Sequence, residues 1–183
     1  IYYYRYKLFV TCDMKKLESL MKTYNDFPKK GIAFKDVLEI IQDSEVFREL
    51  ILKMSSHQII KESEAIIAID ARGFIFGSAI AFHSLKPMIV ARKPGKLPGE
   101  LIEENYSLEY GVNSLSIQKE AIKKFSNFAI VDDLLATGGT VECVAKLINK
   151  SGKTVKGLLT VVELLNLSGR SKFDFPVKSI VRI

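Results

Sequence analysis

Two apolar runs constrain this chain more than anything else in it. Ala65–Asp70 (AIIAID) and Phe128–Asp132 (FAIVD) are each wholly apolar until they end on a carboxylate. An apolar run with no polar alternation describes a strand covered on both faces, and such strands belong to parallel sheets. Pro87–Lys93 (PMIVARK) and Val155–Glu163 (VKGLLTVVE) read as two further strands. Helical patterns separate them: GFIFGSAIAFHSL, whose Gly77, Ser78, Ala79 and Ala81 allow close packing, and Thr140–Asn149. Repeated strand–helix–strand units predict an α/β fold with an open, mostly parallel sheet.

The 183 residues suit one domain. With 48% hydrophobic and 26% charged residues, the chain is neither disordered nor fibrous. No apolar run reaches the ~18 residues of a membrane span. Cys12 and Cys143 make no metal-spaced or disulfide pattern, so a cytoplasmic location is expected. His57 and His83 have no second ligand at metal spacing, which counts against zinc and against a His-activated nucleophile.

Residues 1–13 (IYYYRYKLFVTCD) differ from the rest and read as an extension, with a single domain expected over 14–183. Ile1 is not a start residue, and Met14 opens an amphipathic helical stretch, KKLESLMKTY. Asn25–Gly31 is turn chemistry, and Ile32–Lys35 reads as extended. Asp36 can cap a helix through Val37–Ile41, and Asp43 or Ser44 can cap the next, through Met54. Residues 94–106 are polar and punctuated by Gly and Pro, the profile of a mobile loop.

The net charge of +6 is unevenly placed. Ala71–Gly99 holds Arg72, Lys86, Arg92, Lys93 and Lys96 with no acid, and Lys146–Arg182 holds eight bases against two acids. The second stretch reads as solvated surface. The first carries two of three candidate sites, and in an open α/β sheet ligands bind at the carboxyl ends of strands. At one end, Asp132 and Asp133 lead into a tight loop, Ala136-Thr137-Gly138-Gly139-Thr140, and then a helix. Paired glycines admit close backbone approach, and a helix N-terminus presents free N–H groups to an anion. With two Thr hydroxyls this describes a phosphomonoester pocket, and the acid pair suits the two hydroxyls of a ribose. At another end, the Asp70–Phe74 turn (DARGF) offers Arg72 to a diphosphate, although Arg72 could equally pair with Asp70 or Asp132. Arg92–Lys96 (RKPGK) adds an exposed basic corner.

The Ala129–Thr140 segment resembles the phosphoribosyl-pyrophosphate (PRPP) signature of the type I phosphoribosyltransferases. FPKKGIAFKDV, DARGFIFG, RKPGKLPG and YSLEYG are similar, in order and spacing, to the adenine-specific branch of that family, from about Met14 to nearly the C-terminus. The resemblance implies a twisted sheet with helices on both faces and a small hood over the base site, built from the two terminal regions. It implies that Asp132 and Asp133 hold the ribose, and that Ala136, Thr137, Gly138, Gly139 and Thr140 hold the 5′-phosphate. Arg72, Arg92, Lys93 and Lys96 would contact pyrophosphate, beside a strained turn at Asp70–Ala71 that is often a cis peptide in the family. Glu109 would act as general acid/base at adenine N7, under a lid lined by Tyr110. Ala33 and Lys35 would read the base through their backbones, with Phe34 and Leu164 on its two faces. Many members have Arg where Lys35 stands.

The activity so implied is purine salvage: PRPP and adenine give AMP and pyrophosphate, with Mg²⁺ carried by the substrate. A homodimer is also implied, with a basic residue of the 92–96 region as a candidate to reach the neighbouring site, and no nucleic-acid or membrane partner. The alternatives are the same transfer to hypoxanthine, xanthine or orotate, and a PRPP-sensing regulator that binds nucleic acid. Glu109 and the lid-length loop count against the regulator, which needs neither.

Overall fold

The computed structural model describes residues 14–27, 29–108 and 111–183. They fall into two compact units, divided between Lys53 and Met54. The N-terminal unit carries α1 (Met14–Ser19), β1 (Lys22–Tyr24), β2 (Phe34–Asp36), α2 (Leu38–Gln42) and most of α3 (Ser44–Ser55). The C-terminal unit carries α4 (Gln58–Lys61), β3 (Ala65–Ile69), α5 (Gly73–Ser84), β4 (Met88–Ala91), β5 (Leu101–Leu108), β6 (Gly111–Gln118) and α6 (Lys119–Lys123). It continues with β7 (Asn127–Leu135), α7 (Gly139–Lys150), β8 (Thr154–Glu163), two 3₁₀ turns (Leu165–Leu167 and Gly169–Lys172) and β9 (Val177–Arg182).

In the N-terminal unit the expected caps form. The Asp36 carboxylate accepts from the Leu38 N–H at 2.9 Å, and Asp43 accepts from the Val46 N–H at 3.0 Å. The amphipathic run after Met14 is a shorter helix than its pattern predicts: it stops at Ser19, and Lys22–Tyr24 pairs antiparallel with Phe34–Asp36 instead. Strand pairing here overrides helical periodicity, as tertiary context commonly does with weak local preference.

In the C-terminal unit the sheet order is β4-β3-β7-β8-β9, and every neighbouring pair is parallel. Strand parity shows how both faces are covered. Ala65, Ile67 and Ile69 of β3 and Phe128 and Ile130 of β7 share one core with Val141, Val144, Leu147 and Ile148 of α7. Ala68 points to the opposite face, where α5 lies so close that a Cβ on Gly77 would come 2.5 Å from the Ala68 Cβ. The small residues expected on this helix are therefore what lets it sit against β3. β3 leads through α5 to β4 on one side, and β7 leads through α7 to β8 on the other. The chain thus reverses direction between β3 and β7, the crevice where open sheets of this type bind ligands.

One expectation fails. Residues 101–106 of the expected 94–106 loop belong instead to β5, paired antiparallel with β6 from Leu101↔Gln118 to Leu108↔Gly111. The signal was in the partner: Leu115 and Ile117 alternate with Ser114 and Ser116, a period of two. Backbone bonds between Arg92 and Ser116, at 3.0 and 2.7 Å, fasten β6 just beyond β4. The Cys143 thiol donates to the Glu104 carbonyl at 3.2 Å, and burial pushes it up to about 11, so it is packed rather than reactive. No helix among the described residues is long and apolar enough to cross a membrane.

Gly77→Val should lower stability by about 1–3 kcal/mol, the usual cost of overfilling a packed contact. Thermal unfolding of the purified variant checks this, and an unchanged midpoint would mean that α5 does not rest on Ala68.

Candidate active site

The carboxyl ends of β3 and β7 open into a cavity of about 410 Å³. Its wall is made by Asp70, Ala71 and Arg72 from the turn after β3, by Asp132–Leu135 from the end of β7, and by Ala136–Val141 from the loop and first turn of α7, with Lys93 and Leu115 from the side. All five residues of the expected phosphate loop, both acids, Arg72 and Lys93 therefore line one space. Leu115 also lines it and was not anticipated, because its strand was not.

The loop has the features an anion needs. Gly138 has φ +80°, a left-handed conformation open to glycine at little cost, and caps α7 without a side chain. The first N–H groups of an α-helix have no partner within the helix, and Gly139, Thr140 and Val141, which open α7, line the cavity. A Cβ on Gly73 would come 2.8 Å from Asp132 Oδ1, so the start of α5 lies directly against the acid pair.

The two acids are desolvated together. Burial, followed by the charge of Asp133, pushes the Asp132 carboxyl well above the usual range. Burial also raises Asp133, with the Arg72 guanidinium opposing it. Arg72 Nε lies 2.8 Å from Asp133 Oδ2, an acid beyond the two candidates read from the sequence, and its charge also acts on Asp132. Asp70 instead takes Arg92, with Nε at 3.0 Å, and the Arg92 guanidinium lies 5.7 Å over the Phe74 ring. The Asp70–Ala71 peptide is cis.

The remaining expected residues are placed as follows. Arg92 and Lys96 do not line the cavity, although Lys93 beside them does. Leu164 follows β8, and its N–H donates to the Leu135 carbonyl at 2.9 Å, beside the end of β7. Phe34 and Lys35 lie on β2 of the N-terminal unit and Ala33 just before it; Phe34 packs edge-on against Phe27, with centroids 5.2 Å apart, and Lys35 Nζ donates to Thr23 Oγ1 at 2.7 Å. Glu109 and Tyr110 lie outside the described residues.

Sequence reasoning also missed a charged cluster behind the loop. Glu163, at the end of β8, is 3% exposed. It takes Arg170 Nε at 2.8 Å, Ser179 Oγ at 2.8 Å and Arg182 Nε at 3.2 Å, and Arg170 Nη2 binds its second oxygen. The Arg170 hydrogen bond, above all, holds this carboxyl down at about 2. Only the acid terminating an apolar run hinted at it.

A strand-end cavity with an anion loop, an acid pair and convergent cations defines an enzyme site for a phosphorylated sugar. The phosphoribosyl transferase domain matches residues 37–183. The adenine phosphoribosyltransferase of Prochlorococcus marinus (strain AS9601) is 67% identical over 170 residues, covering 93% of this chain and 100% of that protein. Among solved structures, the adenine phosphoribosyltransferase of Rhodothermus marinus superposes with a TM-score of 0.87 at 32% identity, covering 93% of this chain and 98% of that one. The Saccharomyces cerevisiae enzyme, solved with an imino-altritol bisphosphate and adenine, superposes with a TM-score of 0.85 at 35% identity, covering 91% and 97%. The chain belongs to the phosphoribosyltransferase family, and within it to the adenine phosphoribosyltransferases.

The depressed Glu163 carboxyl links this site to pH. A carboxyl lowered by folding adds stability that is complete above its unfolded value near 4.5 and is lost as pH falls towards about 2. Glu163→Gln should therefore flatten the acid limb of the stability–pH curve between those values. Denaturant titrations across this range check it; parallel curves for the two proteins would show that Glu163 carries no such linkage.

Proposed function

We propose that this chain transfers the phosphoribosyl group of PRPP to adenine, giving AMP and pyrophosphate in purine salvage. The observation that carries the reading is the single cavity shared by the Ala136–Thr140 loop, Asp132, Asp133, Arg72 and Lys93. In this reading the loop amides and the hydroxyls of Thr137 and Thr140 hold the 5′-phosphate. Asp132 and Asp133 accept hydrogen bonds from the ribose hydroxyls. Arg72 and Lys93 stabilise the diphosphate as it leaves, with Arg92 and Lys96 joining from the same basic corner.

The reaction breaks the C1–O bond to pyrophosphate and forms a bond from adenine N9 to C1. Positive charge develops on the ribose between the two events, and water must be kept away from it. Glu109 exchanges a proton at adenine N7 as N9 attacks, and Tyr110 closes the lid. Ala33 and Lys35 read the base through backbone groups; among the described residues β2 is paired along one edge only, which supports a free edge for that role. Phe34 stacks on one face of the ring.

Mg²⁺ enters with the substrate. Among the described residues no three His, Cys, Asp or Glu side chains converge to hold an ion by themselves. The carboxylates of Asp132 and Asp133 in the cavity wall fit the usual magnesium arrangement of few protein ligands, several waters and substrate oxygens. Bound there, the ion would offset diphosphate charge. The reading also includes a homodimer and a cytoplasmic location, the latter supported by two cysteines with no disulfide pattern.

A panel of adenine, hypoxanthine, xanthine and orotate with PRPP and Mg²⁺, read as nucleotide formed, should give AMP as the preferred product. Preference for any other base would overturn the substrate. Glu109→Ala should keep PRPP affinity and lose ~10²–10⁴-fold in kcat, the usual range for a general acid/base. An unchanged kcat would remove Glu109 from the chemistry.

A further inference from the structure

The anion loop does not stand alone. A Cβ on Gly138 would come 2.8 Å from the Gly169 carbonyl oxygen and 2.9 Å from Phe173 Cζ. Conversely, a Cβ on Gly169 would overlap the Ala136 carbonyl and come 2.9 Å from the Gly138 nitrogen. The backbone of the second 3₁₀ turn thus lies directly on the backbone of the loop, with no side chain between them. Gly169 is buried and has no left-handed φ, so glycine is needed there for space rather than for conformation.

That turn is itself fixed. Arg170, the next residue, is clamped by both oxygens of Glu163 and donates from Nη1 to the Val177 carbonyl at 2.5 Å. Paired donors in a planar fork fix direction as well as distance. Glu163 is anchored in turn by Ser179 and Arg182 of β9, and Ser179 Oγ accepts from Thr160 Oγ1 at 3.2 Å. A chain of contacts therefore runs from the β8–β9 edge through Arg170 and Gly169 to the loop.

We infer that Glu163 and Arg170 are positioning residues for PRPP: they hold Gly169 as a brace that sets the shape of the Ala136–Thr140 loop. This rests on the loop being the 5′-phosphate site. The physical reason is that an anion cradle made of backbone N–H groups works only while those groups converge. A left-handed glycine at its centre gives the loop freedom that an outside support must remove. Displacing the brace should weaken PRPP binding and change adenine recognition little, because of the residues assigned to the base only Leu164 adjoins the brace.

The test uses Gly169→Ala, Arg170→Lys and Thr140→Ala in the full chain. Circular dichroism and thermal unfolding establish that each is folded. Calorimetric titration with PRPP and Mg²⁺ gives the affinity, and steady-state kinetics give the KM for adenine. Arg170→Lys keeps the charge and most of the stem but not the fork, so it carries the test if Gly169→Ala does not fold. The expected result is a ~10- to 100-fold loss of PRPP affinity in Gly169→Ala and Arg170→Lys, the scale of effect from small misplacement of binding groups, with adenine KM within about twofold of wild type. Wild-type PRPP affinity in both, with Thr140→Ala weakened, would overturn the brace and leave the phosphate loop standing. Unchanged affinity in Thr140→Ala as well would remove the phosphate-loop reading and the brace with it. Losses in PRPP affinity, adenine KM and unfolding midpoint that move together would show a merely structural role and would also overturn the inference.

Discussion

The contact on which this site depends is the one between Arg72 and Asp133. β7 ends on two adjacent carboxyls that the fold removes from water, and burial of unpaired carboxylates is strongly unfavourable. Arg72 supplies the opposing charge at 2.8 Å. It comes from the turn after β3, so one ion pair ties together the two strand ends between which the chain reverses direction. This ion pair adds to the parallel pairing of β3 with β7, whose strand ends form the cavity wall. Both acids and Arg72 line that cavity.

The same pairing changes the meaning of the basic charge. Ala71–Gly99 contains five cations and no acid, which by count alone resembles a surface for nucleic acid. In the structure the cations are separated in role. Arg72 and Arg92 are paired by acids at the ends of β7 and β3. Lys86 donates to the Ser63 carbonyl at the opposite end of β3, and Lys93 lines the cavity. A segment acid-free in sequence is therefore supplied with acids from elsewhere, and no continuous basic stripe is implied.

How much was legible follows from how local each signal is. The buried parallel strands announced themselves, because a strand covered on both faces must be apolar throughout, and Ala65–Ile69 is. The anion loop was legible because Gly138, Gly139 and the flanking threonines are adjacent in the chain. The β5–β6 hairpin was not, since Leu101–Leu108 alternates poorly and its partner's signal is four residues long. Asp133 was not anticipated as a partner of Arg72 because Asp132 and Asp133 are adjacent and equally acidic in sequence, and only their placement at the end of β7 tells them apart. Glu163 and Arg170 were missed for a similar reason: seven positions separate them, and nothing local marks the pair.

These pairings also answer why the site is not simply more positive. Such an enzyme must bind a highly charged substrate and then release pyrophosphate, which is itself multiply charged. Free cations around the cavity would hold the product as firmly as the substrate, and uniform binding of that kind does not speed turnover. Acids that pair Arg72 and Arg92 moderate their pull and fix their direction at once. The loop amides add attraction without mobile charge, since they are partial dipoles held by the backbone. In the proposed reading, an anion would thus be favoured by its fit to the loop rather than by its charge alone, and that fit would follow from where the backbone is held.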